Sequence, residues 1–167
     1  MPVFDGYFGD EAATREALRD GWLHTGDTAS VDAQGYLFLK GRSRALIKRA
    51  GVTIAPREVE DAVDRVAQVS RSAAIGIVRD SDTGSGTEDV VIVAEIQADH
   101  ARSEASLDSI LADINREVKA SLGFAPGRIL LVTTDAIPRT AAGKVQYDEL
   151  RRMVIENAVP GRVLSSR

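Results

Sequence analysis

Three short, nearly unbroken apolar runs stand out along the chain, at residues 73–78, 90–96 and 129–133. Runs of that length and composition predict strands covered on both faces. Between and around them the apolar residues change to helical spacing. Val59, Ala62, Val63 and Val66 follow Pro56, which suits the first position of a helix, and Glu58, Glu60 and Asp61 fall in its early turns. Leu107, Ile110, Leu111, Ile114 and Val118 form a second stripe, predicting a helix from a Ser106 cap to about Ser121 that Gly123 stops. A last helix is expected over 147–156, with Leu150 and Val154 inward. Short strands at 46–48 and 52–54 flank a turn at Gly51, and the polar stretch 81–89 reads as a loop. This order of elements predicts an α+β fold, a small mixed sheet covered by helices.

The first third of the chain has a weaker pattern. Residues 10–19 read as a short surface helix ended by Gly21, followed by the turn-rich loop GWLHTGDTA. Residues 28–31 and 36–39 flank DAQG as a hairpin too small to fold alone. This region is expected to be the edge of a larger folded body. The predicted organisation is an incomplete domain edge over 1–42, a hinge at 43–45, a mobile domain over 46–157 and a disordered tail over 158–167.

Composition narrows the chemistry. Among 167 residues there is no cysteine, which excludes disulfides, thiolate metal sites and cysteine nucleophiles. The two histidines, His24 and His100, are far apart, so a histidine-based metal site has little support. A net charge of -4 argues against a broad basic face for nucleic acid. No apolar run is long enough to span a bilayer, and the start lacks a secretory pattern, so the expected location is cytoplasmic.

Three polar clusters lie outside the packing pattern. Thr25-Gly26-Asp27 places a carboxylate in a loop, where its two oxygens suit a ribose diol; a turn aspartate capping its own backbone is the plainer explanation. Arg42, Arg44 and Lys48 stand near the Gly51 turn and could hold ribose, phosphate or carboxylate, or simply be solvated charge at strand ends. Residues 137–144, IPRTAAGK, form a loop of small residues ending in Lys144, read as a lysine on a flexible glycine hinge or as an ordinary exposed lysine. It is not a P-loop: Val145 follows Gly143-Lys144, and no glycine lies five residues before Gly143.

Taken in order, GYFGDEAATREALRDGWLHTGD, GYLFLKGRSRALIKRAGVTIAPREVEDAV and IPRTAAGKVQYDELRR resemble the adenylate-forming superfamily from about Tyr7 to Arg152. Acyl-CoA synthetases, fatty acyl-AMP ligases, luciferases and adenylation domains make up that group. The resemblance implies the C-terminal domain of an ATP-dependent acid–thiol ligase, together with the end of its N-terminal domain. Such an enzyme joins a carboxylate to ATP with Mg2+ and passes the acyl group to CoA or a carrier-protein phosphopantetheine. It further implies that Asp27 binds ribose, that Arg42 contacts the nucleotide at the domain junction and that Arg44 is the hinge. Lys48 and Gly51 would belong to the face presented for thiol transfer, with Gly51 lining the pantetheine path. Lys144 would contact the acyl carboxylate and the α-phosphate during adenylation.

The family's glycine- and threonine-rich phosphate loop is not within these residues, so the chain alone is expected to be inactive. It reads as a piece cut from a longer protein in preference to a truncated gene product. GTEDVVIVAEI and ASLGFAPGRILLVTTDAIPRTAAGKVQ are similar to fatty acyl-AMP ligases, whereas ALIKRAG is similar to CoA ligases. The expected partners are the enzyme's own N-terminal domain and an acyl carrier protein. The alternative is a non-catalytic docking module for a carrier protein or partner subunit.

Overall fold

The computed structural model describes residues 4–78, 87–97 and 103–165. The expected loop is therefore described only at 87–89, and His100 lies outside the described residues. The chain divides into two compact units, Met1–Arg44 and Ala45–Arg167.

In the first unit, α1 (Glu11–Ala17) begins at Asp10, whose side chain accepts the Ala13 N–H at 2.9 Å. The helix stops two residues before the expected Arg19. Leu18–Arg19 (β1) instead pairs antiparallel with Trp22–Leu23 (β2). Asp20 and Gly21 between them have φ of 53° and 79°, the backbone a two-residue hairpin turn requires. The next hairpin pairs β3 (Asp27–Val31) with β4 (Leu37–Arg42). Asp32 closes it by accepting the N–H groups of Gln34 and Tyr36, each at 2.9 Å. Among the described residues of this unit none is buried, and Phe8, Trp22, Tyr36, Leu37, Phe38 and Leu39 are all more than half exposed.

The second unit contains β5 (Ile47–Arg49), β6 (Val52–Ile54), α2 (Pro56–Val63), β7 (Val69–Val78), β8 (Glu88–Ile96), α3 (Glu104–Leu122), β9 (Arg128–Thr133), α4 (Tyr147–Ile155) and β10 (Arg162–Ser165). Its central sheet has the order β10-β9-β8-β7. β8 and β9 are parallel; the other two pairs are antiparallel. Alternating side chains build two cores, as period-two strands require. Ala74, Ile92, Ala94, Ile129 and Leu131 pack on one face with Ile47, Ile54, Val59, Ile110 and Ile114, from the β5–β6 hairpin, α2 and α3. Ala73, Val91, Val93, Leu130 and Val132 pack on the other with Ile137, Leu150 and Val154, from the loop after β9 and α4.

Two expectations are corrected here. The cap of α3 is Ser103, which accepts the Ser106 N–H at 3.2 Å, so Ser106 is the donor and not the cap. Chain beyond 158 is not disordered throughout: the backbone of β10 pairs with β9, and Val159 is buried. The outer edge of β9 offers unpaired backbone groups, and the returning chain satisfies them, beginning with the Thr133 N–H donated to Gly161 at 2.8 Å. No helix among the described residues is long and apolar enough to cross a membrane.

Candidate functional site

Asp27 opens β3 directly opposite Arg42, the last residue of β4. Arg42 Nε lies 3.1 Å from Asp27 Oδ1, and its Nη1 donates to the Thr25 carbonyl. The Ser43 N–H donates to the Gly26 carbonyl at 2.8 Å. The Thr25-Gly26-Asp27 loop and Arg42 are thus one node. The Asp27 carboxylate is engaged by a guanidinium instead of capping its own turn. A bulge before this point shifts the register between Thr28 and Ala29, with Gly41 at φ 123°. The pair remains accessible, with 40% of the Asp27 side chain and 64% of the Arg42 side chain exposed. Arg44 does not join this node; it makes an exposed ion pair with Glu16 of α1.

Lys48 and Gly51 share the β5–β6 hairpin of the second unit. Ala50 and Gly51 form its turn with φ of 47° and 79°. Glycine relieves strain there because L side chains rarely adopt that backbone. A Cβ at Gly51 would meet nothing within 4 Å. The hairpin is fastened at two points. The Lys48 N–H donates to Glu88 Oε2 at 2.6 Å, and the Arg49 guanidinium lies over the Phe124 ring, 4.6 Å from its centroid.

Lys144 belongs to the other core's layer, in the loop between β9 and α4. The loop closes on itself through hydrogen bonds. The Gly143 N–H donates to the Thr140 carbonyl at 2.8 Å, the Thr140 N–H to the Lys144 carbonyl at 2.8 Å, and the Gln146 N–H to the Pro138 carbonyl at 2.9 Å. Arg139 Nη1 donates to the Gly143 carbonyl at 3.0 Å. The Lys144 residue is exposed. A small hairpin therefore presents it, with Gly143 at φ 78° in the turn.

Sequence reasoning missed two buried carboxylates near this loop. Glu60 of α2 is 4% exposed, and its Oε1 accepts the Ala74 N–H at 3.1 Å and the Tyr147 hydroxyl at 3.0 Å. Glu95 of β8 is 1% exposed and accepts the Ile137 N–H at 2.9 Å. Burial raises the Glu60 carboxyl above its ordinary value, against the hydrogen bonds from Ala74 and Tyr147. Burial and then the Glu60 charge push the Tyr147 phenol up as well. A signal was present: Glu95 interrupts the apolar run VVIVAEI, and a charge inside a covered strand must find partners. Among the described residues no three carboxylate or imidazole side chains converge as a metal-binding group, so the Mg2+ expected with ATP has no such ligand set in this stretch.

No family model matches the chain. The medium/long-chain-fatty-acid–CoA ligase FadD8 of Mycobacterium tuberculosis is 32% identical over 155 residues, covering 92% of this chain and 26% of that protein. The medium/long-chain-fatty-acid–[acyl-carrier-protein] ligase FadD10 of the same species is 36% identical over 145 residues, covering 87% and 26%. The crystal structure of ATP-bound MatB from Rhodopseudomonas palustris superposes with a TM-score of 0.71 at 28% identity, covering 93% of this chain and 29% of MatB. The chain thus spans about a quarter of the length of these curated relatives.

Proposed function

Since this chain belongs to the adenylate-forming ligase superfamily, we propose that it is the C-terminal portion of an ATP-dependent acid–thiol ligase acting on a fatty acid. Its reaction has two steps. A carboxylate oxygen of the acid attacks the α-phosphorus of ATP and pyrophosphate leaves. A thiol sulfur then attacks the acyl-adenylate carbonyl, AMP leaves, and the thiol proton passes to solvent. The fatty-acid assignment draws on FadD8 and FadD10, medium/long-chain fatty-acid ligases that differ in acceptor, one CoA and the other an acyl carrier protein.

The observation that carries the reading is the central sheet standing between two presentation elements. The Lys48–Gly51 hairpin packs on one face and the Lys144 loop on the other. One rigid unit with two such faces can serve two successive reactions if it turns between them. In the first step the Lys144 ammonium would neutralise charge growing on the attacking carboxylate and the α-phosphate. Lys48 would act similarly in the second step, beside a pantetheine path bordered by Gly51. Asp27 would accept the ribose hydroxyls, with Arg42 orienting its carboxylate and contacting the nucleotide. Arg44, the last residue of the first unit, would be the pivot.

The test separates the half-reactions in the complete protein that carries these residues. Adenylation is read by pyrophosphate exchange, and thiol transfer by thioester formation from supplied acyl-adenylate. Lys144→Ala is expected to slow the first by roughly two to three orders of magnitude, the scale of losing a preorganised charge, and to spare the second. Equal loss in both would refute the two-face assignment.

A further inference from the structure

Glu60 and Glu95 have no part in the chemistry proposed above, yet both are buried. A buried carboxylate is costly, and an apolar residue of similar shape is often the more stable choice. Their hydrogen bonds suggest what that cost secures. Glu95, projecting from the central strand β8, accepts the N–H of Ile137, where the Lys144 loop begins. Glu60, on α2 beside the free edge of β7, accepts the hydroxyl of Tyr147, where the loop ends, and is itself held by the Ala74 N–H. Between these two fixed points the loop closes on itself through Thr140, Gly143 and Gln146. Hydrogen bonds at both ends of the loop and within it, joined by short stretches of backbone, therefore link the sheet to the backbone of Lys144.

We propose that Glu95, Glu60 and Tyr147 are positioning residues that clamp both ends of the Lys144 loop and so fix the lysine for adenylation. This inference rests on the adenylation role assigned to Lys144. An ammonium stabilises a transition state to the extent that it is already in place when charge develops, and a shift of about 1 Å can cost up to roughly a hundredfold. Tyr147 suits the task because a phenol stays protonated, and so a donor, at neutral and mildly alkaline pH.

Tyr147→Phe removes one hydroxyl and leaves the ring in place. In the complete protein it is expected to lower kcat for adenylation by about tenfold, within the range for a displaced catalytic group. KM for ATP and thiol transfer from supplied acyl-adenylate should change less than about twofold. Glu60→Ala should behave likewise. Glu60→Gln should recover most of the rate, because an amide oxygen accepts the same two hydrogen bonds. Hydrogen exchange in the 167-residue chain gives a readout free of turnover: Tyr147→Phe should accelerate exchange across residues 139–146 by about tenfold while residues 90–96 stay protected. Unchanged adenylation in Tyr147→Phe, or equal losses in both half-reactions with a lowered melting temperature, would overturn the clamp. If Lys144→Ala leaves adenylation intact, the parent reading fails instead, and the positioning role falls with it even if loop exchange responds as expected.

Discussion

At the scale of single residues, Glu60 is the most exacting feature, because its carboxyl is buried and its pKa is raised. The raised value means the folded protein holds this proton more tightly than the unfolded chain does. Where the two states differ, the folded state binds more protons, so stability falls as pH rises from the ordinary carboxylate range through the raised value. The Glu60→Gln variant lacks this group. Its stability relative to the parent should therefore increase as pH rises across that window and level off above it. Urea denaturation of both chains between about pH 4.5 and 8 measures the difference; the opposite slope would show that Tyr147, Ala74 and Arg57 together favour the charged form. Exposed pairs carry less weight. Arg44–Glu16 is open to solvent, and pairs of that kind contribute about 0–1 kcal/mol.

At the scale of elements, the β5–β6 hairpin depends on a glycine in another strand. A Cβ on Gly76 of β7 would stand 2.5 Å from Glu88 Oε2, the atom that accepts the Lys48 N–H. Gly76→Ala must push the Glu88 side chain aside, which frees the hairpin from the sheet at Lys48. The expected outcome is a stability loss of about 0.5–1.5 kcal/mol, the scale of one hydrogen bond, with slower thiol transfer and unchanged adenylation. Thiol transfer at the parent rate would show that this fastening does not matter for Lys48. The same strand, β7, is covered farther along its edge. Glu60 and Asp64 take the Ala74 N–H and the Ser72 hydroxyl along β7, covering an edge that would otherwise invite pairing with another chain.

At the scale of the whole molecule, every described buried residue lies between Ala45 and Val159. A stretch holding all of the core should fold without the rest, since burial of apolar surface is the main favourable term. Residues 45–167 alone are expected to unfold cooperatively, with a urea midpoint within about 0.5 M of the 167-residue chain. A broad or absent transition would mean that Met1–Arg44 stabilises the second unit. The exposed Trp22, Tyr36, Leu37, Phe38 and Leu39 should make the longer chain more prone to associate than the shorter one, which light scattering would detect.

The elements of the second unit were legible in the order of residues because their patterns are local: apolar runs for β7, β8 and β9, a period of 3.6 for α2 and α3, a proline start and a glycine stop. Asp27 and Arg42 could each be singled out as candidates from residue type and resemblance, but only pairing of β3 with β4 put them 3.1 Å apart. The functions of Glu60 and Glu95 could not be read locally. One looks like a helix-surface acid and the other like an interruption in a strand, and their partners lie 14 to 87 residues away. The tail was misread for the same reason, since β10 exists only because β9 has an edge to offer. Chain periodicity determines what each segment can become, because it acts through neighbours in sequence. Burial of charge, pairing of edges and the separation of two loops by a sheet are decided in tertiary structure, because they depend on what distant segments bring to the same place.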